Sequence, residues 1–330
     1  LISGGVLDLV RRANRRLWSP ATPDRPARAV IRAAGTGFGA GSRESSSLLD
    51  KAWAELAWAG AQSGNAARLR ALAGEGARPH AVIGDSHSRL LVRRARRADG
   101  AWLTPLWWLE TGASARGLGR SDARSGAGQR VRVAIDTALA ATPTAPVFVK
   151  FGQVDVEFVQ VFKRLERGQK GFDADVFKHF VDETIGRYVT FLAGATAPAD
   201  RARVHVCSLF PPTLSDAAWR TGYINAHIID LHGPAGERDL ASALEGLEMP
   251  DLAARTVLHA DFNAALADAA SAQGLAFSDN MTAFLGADGV VEPRYVGPAA
   301  GQDHHLDFHA SRAPMVDCLW RVFDGSHGQA

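Results

Sequence analysis

The sequence predicts an α/β fold built on a parallel sheet with helices on both faces, and three observations carry that prediction. Short apolar runs recur from His80 onward, each continuous rather than alternating. Longer stretches with helical periodicity separate them. Continuous apolar strands between helices are what a sheet covered on both faces requires, because neither face meets water. At 330 residues the chain is also long enough to bury a large core without staples.

The elements follow in chain order. "VLDLVRRANRRLW" (6–18) places Leu7, Val10 and Trp18 on an amphipathic helix, which the three prolines of "SPATPDRPARA" (19–29) end. "GTGFGAGSRESSS" (35–47) reads as a loop; without a preceding strand or a Gly-Lys-Ser/Thr it is no phosphate cradle. "SLLDKAWAELAWAGAQ" (47–62) and "AARLRALAGEG" (66–76) read as Ala-rich helices. Residues 1–78 are thus expected to form a helical N-terminal extension, and residues 79–330 the α/β domain. In that domain the strands are "HAVIG" (80–84), "PLWWLE" (105–110), "PVFVKFG" (146–152), "RVHVCSLF" (203–210) and "LAFSD" (275–279). Helices are expected over 128–142, 173–195, 216–232 and 252–274.

Composition narrows the function classes. The net charge is +2 and 46% of residues are hydrophobic, which argues for a globular protein with no nucleic-acid partner. The Arg-rich run "RLLVRRARR" (89–97) reads as the solvated face of a helix. Two cysteines, Cys207 and Cys318, make neither a disulfide framework nor a zinc site. No run approaches the ~18 apolar residues of a membrane span. With no signal-peptide pattern the expected location is cytoplasmic, though a start at Leu1 leaves export open. Oligomeric state is not legible.

Parallel sheets place their working groups in loops beyond the strands' carboxyl ends. The first such loop reads Gly84-Asp85-Ser86-His87-Ser88. The second is "TGASARGLGR" (111–120), with Gly112, Ser114 and Gly117, and the third is "FGQVDVE" (151–157), with Gln153 and Asp155. Near the C-terminus stands "GQDHHLDFH" (301–309), with Asp303, His304 and His305. A serine at a strand end, a glycine-lined loop and a late Asp/His cluster are the parts of an acyl-transfer site. Plainer readings exist for each. Ser86 or Asp85 caps the next helix, Gly112 and Gly117 sit at turns with φ > 0, and Asp155 is a cap or a site support. Asp85 and His87 also read as a pair of metal ligands. His80, His205 and His259 read as structural, Cys207 as core, and Trp102, Trp107 and Trp108 as core rather than cleft wall.

Taken in order, the four blocks resemble the SGNH (GDSL-type) hydrolase superfamily, from about His80 to the end of the chain. Gly84-Asp85-Ser86-His87-Ser88 is similar to its first block, "GASARGL" (112–118) to the second, "GQVD" (152–155) to the third and "DHHL" (303–306) to the last. "CSLFPP" (207–212) and "FSDNMTAFLGADGVV" (277–291) resemble a bacterial branch with a Gly-x-x-Asp third block. The resemblance implies a flavodoxin-like three-layer α/β/α domain and a triad. Ser86 would be the nucleophile, His305 the base and Asp303 its orienting carboxylate, with the Ser86 and Gly112 amides as oxyanion donors. Asp85, Ser114 and Asp155 would line or support that site. No cofactor or metal is implied.

Two departures stand out. Val154 occupies the place of the third-block asparagine and cannot donate a hydrogen bond, so either Gln153 supplies an amide or two backbone donors suffice. Asp303 precedes His305 by two residues where the family has three, which leaves His304 as an alternative base. The expected activity is that of a serine esterase or deacylase cleaving an O-acyl, first of all O-acetyl, ester, with a small molecule or a carbohydrate as carrier. Rival readings are an acyltransferase, a catalytically degenerate fold that binds an acyl or sugar ligand, and a metal-dependent phosphoesterase. The last lacks a Gly-Asn-His-Asp/Glu segment anywhere in the chain.

Overall fold

A computed structural model describes residues 43–67, 71, 74–120, 125–220, 244, 246–297 and 303–325. The helix expected over 6–18 and most of that over 216–232 lie outside the described residues. Five parallel strands form one sheet: β1 (Ala77–Gly84), β2 (Trp102–Leu109), β3 (Val147–Lys150), β4 (Val204–Cys207) and β5 (Ala276–Ser278). Their order is β2-β1-β3-β4-β5, with every neighbouring pair parallel. That is the flavodoxin-like doubly wound order, whose switch point falls between β1 and β3. Pro105 is tolerated in β2 because β2 is an edge strand, where a missing N–H breaks no ladder.

Eight helices accompany the sheet among the described residues: α1 (Arg43–Gln62), α2 (Ala115–Leu118), α3 (Ala127–Ala141), α4 (Gln160–Glu166), α5 (Ala174–Gly194), α6 (Asp216–Arg220), α7 (Leu252–Ala272) and α8 (Arg312–Phe323). Strand alternation sorts the core into two faces. Ala81, Ile83, Val147, Val149, Val204 and Val206 pack with Val131 and Ile135 of α3, Tyr188 of α5 and Phe262 of α7. Val82, Phe148 and Cys207 face the other way, onto Leu91 and onto Met315 and Leu319 of α8. The three-layer expectation is met. Aspartates start the two longest covering helices: Asp173 accepts from the Asp175 and Val176 amides, and Asp251 from that of Ala254.

The described helix of the N-terminal extension packs into this same core. Trp53 of α1 meets Trp102 edge-on at 5.2 Å between ring centroids, and Trp58 lies 5.6 Å from Trp108. β1 itself begins at Ala77, two residues inside the expected extension. Trp102 and Trp107 are core residues, as the sequence suggested.

The Arg-rich run corrects the reading from sequence. Only Ser86–Leu91 is helical, as a 3-10 turn, and Arg93 and Arg94 are buried rather than solvated. Arg94 Nε donates to Asp50 Oδ1 at 3.2 Å, and Arg312 Nη1 donates to Asp50 Oδ2 at 2.6 Å. Arg93 Nη2 donates to the Phe308 carbonyl at 2.7 Å, and its guanidinium lies 3.7 Å from the Phe308 ring centre. Charge spacing cannot announce such partners, because Asp50 lies 44 residues upstream of Arg94. Asp50→Ala would leave the Arg94 charge buried without its carboxylate. A loss of about 3–5 kcal/mol is expected, read as a lower urea midpoint. Among the described residues no helix is long and apolar enough to cross a membrane.

Candidate active site

The last residue of β1, Gly84, is a glycine because a side chain has no room there. A Cβ would stand 2.3 Å from the Lys150 carbonyl oxygen and 2.6 Å from the Ser88 Cβ. The next residue, Asp85, is fully buried, and its Oδ1 accepts from the His87 amide at 2.9 Å. The same oxygen lies 3.1 Å from His87 Nδ1. Asp85 is therefore the cap of the 3-10 turn, and the capping reading belongs to it rather than to Ser86. Burial pushes the Asp85 carboxyl up, but His87 and then Lys150 outweigh it and the net shift is downward. Burial also lowers His87, against the pull of Asp85.

With the cap assigned elsewhere, the half-buried Ser86 hydroxyl is left for a long-range partner. Ser86 Oγ lies 2.8 Å from His305 Nε2, across 219 residues of sequence. On the far side of the ring, His305 Nδ1 lies 2.9 Å from Asp303 Oδ1, which also accepts from the His305 amide at 3.1 Å. The two-residue spacing of Asp303 and His305 thus closes a tight ring on one carboxylate oxygen. Asp85-Ser86-His87 repeats the same device. The hydrogen bond from His305 draws Asp303 down to about 2, with burial opposing, so this carboxyl is ionised at neutral pH. His304 lies alongside: its Nδ1 is 3.8 Å from Asp303 Oδ1, its ring centre is 3.9 Å from that of His305, and it packs edge-on to Phe158.

The tail loop is held at several points. Thr213 Oγ1 donates to the Asp303 carbonyl at 2.7 Å, Val296 pairs with Leu306, and the Asp307 amide donates to the Tyr295 carbonyl at 2.7 Å. The buried Arg93 fixes Phe308 from beneath. Rigid anchoring of this kind keeps an imidazole within a few tenths of an ångström of its partner.

The second loop lies beside the first because the Glu110 amide donates to the Gly84 carbonyl at 2.8 Å. Gly112 has φ of +70°, as expected of its turn, but Gly117 does not. Gly117 sits inside α2, where a Cβ would lie 2.8 Å from Ser114 Oγ. Ser114 Oγ accepts from the Gly117 amide at 3.0 Å, so its hydroxyl caps α2. Asp155 ties the third loop to the second, accepting from the Ala115 amide at 2.6 Å and the Arg116 amide at 3.1 Å. Burial raises Asp155 to about 7 against those two bonds. Neither the Ser86 nor the Gly112 amide donates to an acceptor among the described residues.

Gln153 is corrected. Its Nε2 donates to Glu157 Oε1 at 2.8 Å and to the Phe210 carbonyl at 3.2 Å, which uses both amide hydrogens. Its Oε1 accepts from the Phe210 amide at 2.9 Å and from Lys150 Nζ at 3.3 Å. The residue braces a buried polar floor and has no hydrogen left for an oxyanion. Lys150 and Glu157 complete that floor, and neither was picked out from sequence. The readable signal was a lysine inside the apolar run "PVFVKFG". His80, His205 and His259 are structural as read, with ring nitrogens on the Leu91 carbonyl, Ser278 Oγ and the Phe210 carbonyl.

Glu157 gives a pH test. Burial raises it to about 8, against Gln153, Arg255 and Lys150, and its Oε2 has no partner among the described residues. The folded chain therefore keeps a proton that the unfolded chain releases above about 4.3. This group's contribution to stability is full below that value and is lost as pH rises towards 8. Glu157→Gln removes the linkage while keeping the acceptor for Gln153. The variant's Tm, relative to the parent, is expected to climb by a few degrees between pH 5 and pH 7.5; a difference constant with pH would contradict the assignment.

No protein-family model and no curated protein matches the chain. Among solved structures, a candidate acylhydrolase from Bacteroides fragilis NCTC 9343 overlaps 76% of this chain and 86% of its own, at 13% identity and a TM-score of 0.35. At that level of likeness neither fold nor chemistry follows from the neighbour; the fold rests on strand order and the chemistry on side-chain geometry.

Proposed function

We propose that the chain is a serine esterase or deacylase working through Ser86, His305 and Asp303. One observation carries this: a serine hydroxyl, an imidazole and an ionised carboxylate stand in line at 2.8 and 2.9 Å. A free serine is a poor nucleophile, and an imidazole at hydrogen-bonding distance is what activates it. Ser86 Oγ attacks the ester carbonyl as its proton passes to His305 Nε2. Asp303 holds the ring by Nδ1–H and stabilises the imidazolium. The oxyanion is met by the Ser86 and Gly112 amides, each donor contributing about 3 kcal/mol to the transition state. Collapse expels the alcohol with the proton from His305, and water repeats the sequence to free the acid and the serine. Transfer to a second alcohol in place of water uses the same steps.

His305 rather than His304 is the base in this reading, because only His305 touches both partners. Asp85 and Asp155 act as supports, one capping the nucleophile turn and the other holding the Gly112 loop. The resemblance of the four blocks to the SGNH hydrolases supports an O-acyl substrate, and the branch resembled supports an O-acetyl group on a carbohydrate. The test is acid release from p-nitrophenyl esters of increasing acyl length and from a peracetylated sugar. Turnover fastest on acetyl is expected. No release from any member of the panel would overturn the proposal.

A further inference from the structure

Two histidines beside the triad are not used by that reaction. His87, His304 and His305 each bring one ring nitrogen to within 4.8 Å of the others. The His87 and His305 rings stack at 4.5 Å between centroids, and His304 lies 3.9 Å from His305 and 5.2 Å from His87. Asp85 holds His87 Nδ1 at 3.1 Å, as Asp303 holds His305 Nδ1 at 2.9 Å. A carboxylate on Nδ1 is the outer support that fixes the ring of a metal-bound histidine and turns the Nε2 lone pair to the ion. His87 Nε2 has only a long contact, 3.4 Å, to the His304 carbonyl.

We propose that His87, His304 and His305 form a binding site for Zn²⁺, and that the bound ion shuts off the esterase. An all-imidazole set suits zinc and other late transition metals and not Mg²⁺ or Ca²⁺. With Zn–N bonds of about 2.0–2.1 Å, two ligands stand at most about 4 Å apart. The half-buried rings of His304 and His305 therefore draw in towards the buried His87 when the ion binds. The Nε2 lone pair of His305 that zinc takes is the one that would accept the Ser86 proton, so the two uses exclude each other. This inhibition rests on the esterase reading; the metal site itself does not.

The test separates the two. Calorimetric titration of the full chain with ZnCl₂, and with MgCl₂ as control, reads binding without turnover. One Zn²⁺ per chain is expected, with no heat from Mg²⁺. Affinity should fall at least about tenfold in His304→Gln and in His87→Gln, with far-UV circular dichroism confirming that the variants are folded. Ser86→Ala should bind zinc undiminished. Ester turnover should fall over the same zinc concentrations and return with a chelator. Zinc binding without turnover in any sample keeps the site and removes the esterase. Turnover insensitive to zinc, or stimulated by it, overturns the proposal. So does the absence of zinc binding, or binding that neither histidine variant weakens.

Discussion

Ser86→Ala is expected to lower kcat/KM for p-nitrophenyl acetate by about 10⁴-fold or more while leaving the fold intact. Both halves of that expectation come from the same contacts. The hydroxyl's hydrogen-bond partner is His305 Nε2, so its removal deletes the nucleophile and nothing that holds the loop. The turn is capped by Asp85, and Ser88 Oγ separately donates to the Asp85 carbonyl at 2.6 Å. One lost, half-exposed hydrogen bond costs about 1 kcal/mol, a small shift in Tm. A variant retaining more than a tenth of parental turnover with an unchanged Tm would show that the serine is a bystander.

Asp303→Asn is the second large effect, expected to cost about 10³–10⁴ in kcat. With its carbonyl oxygen in the place of Oδ1, Asn still accepts from the His305 amide and from Nδ1 but loses the charge that stabilises the imidazolium. If its NH₂ faces Nδ1, that nitrogen must become an acceptor, and the proton moves to Nε2, where it blocks transfer from Ser86. KM should change little, because Asp303 touches the base and not the acyl group. His304 offers no rescue, since it is His305 Nε2 that lies 2.8 Å from Ser86 Oγ. A loss below about tenfold would assign the orienting role elsewhere. Stopped assays with released p-nitrophenol suffice to measure it.

What the sequence makes legible, and what it hides, divides by range. Strands buried on both faces are written as uninterrupted apolar runs, so even the three-residue β5 was readable from "LAFSD". Ser86 stands out in the sequence because it sits beyond a strand, and Asp303 and His305 because they lie in a late Asp/His cluster, where His304 stays open as an alternative base. The hidden features depend on partners far along the chain. Arg93 and Arg94 look solvated until Asp50 and Phe308 arrive from 44 and 215 residues away. Gln153 looks like an oxyanion donor because its neighbour Val154 replaces one; only the fold reveals Phe210 and Glu157 taking its hydrogens. Spacing left both His304 and His305 open as the base, and in the structure it is His305 Nε2 that lies 2.8 Å from Ser86 Oγ. Helix α1, read as part of an N-terminal extension, makes Trp–Trp contacts with β2 that its sequence distance from the sheet hides.

Activation of the hydroxyl at position 86 is the property that a fluorophosphonate probe reads most directly. The serine oxygen, its proton taken by an imidazole, bonds to the reagent's phosphorus as fluoride leaves, and the adduct is located by mass spectrometry of the digested chain. One phosphonyl group on the peptide carrying Ser86, absent in Ser86→Ala and strongly slowed in His305→Ala, is the predicted result. A chain that stays unlabelled at high probe concentration, or carries the label at another residue, would contradict it.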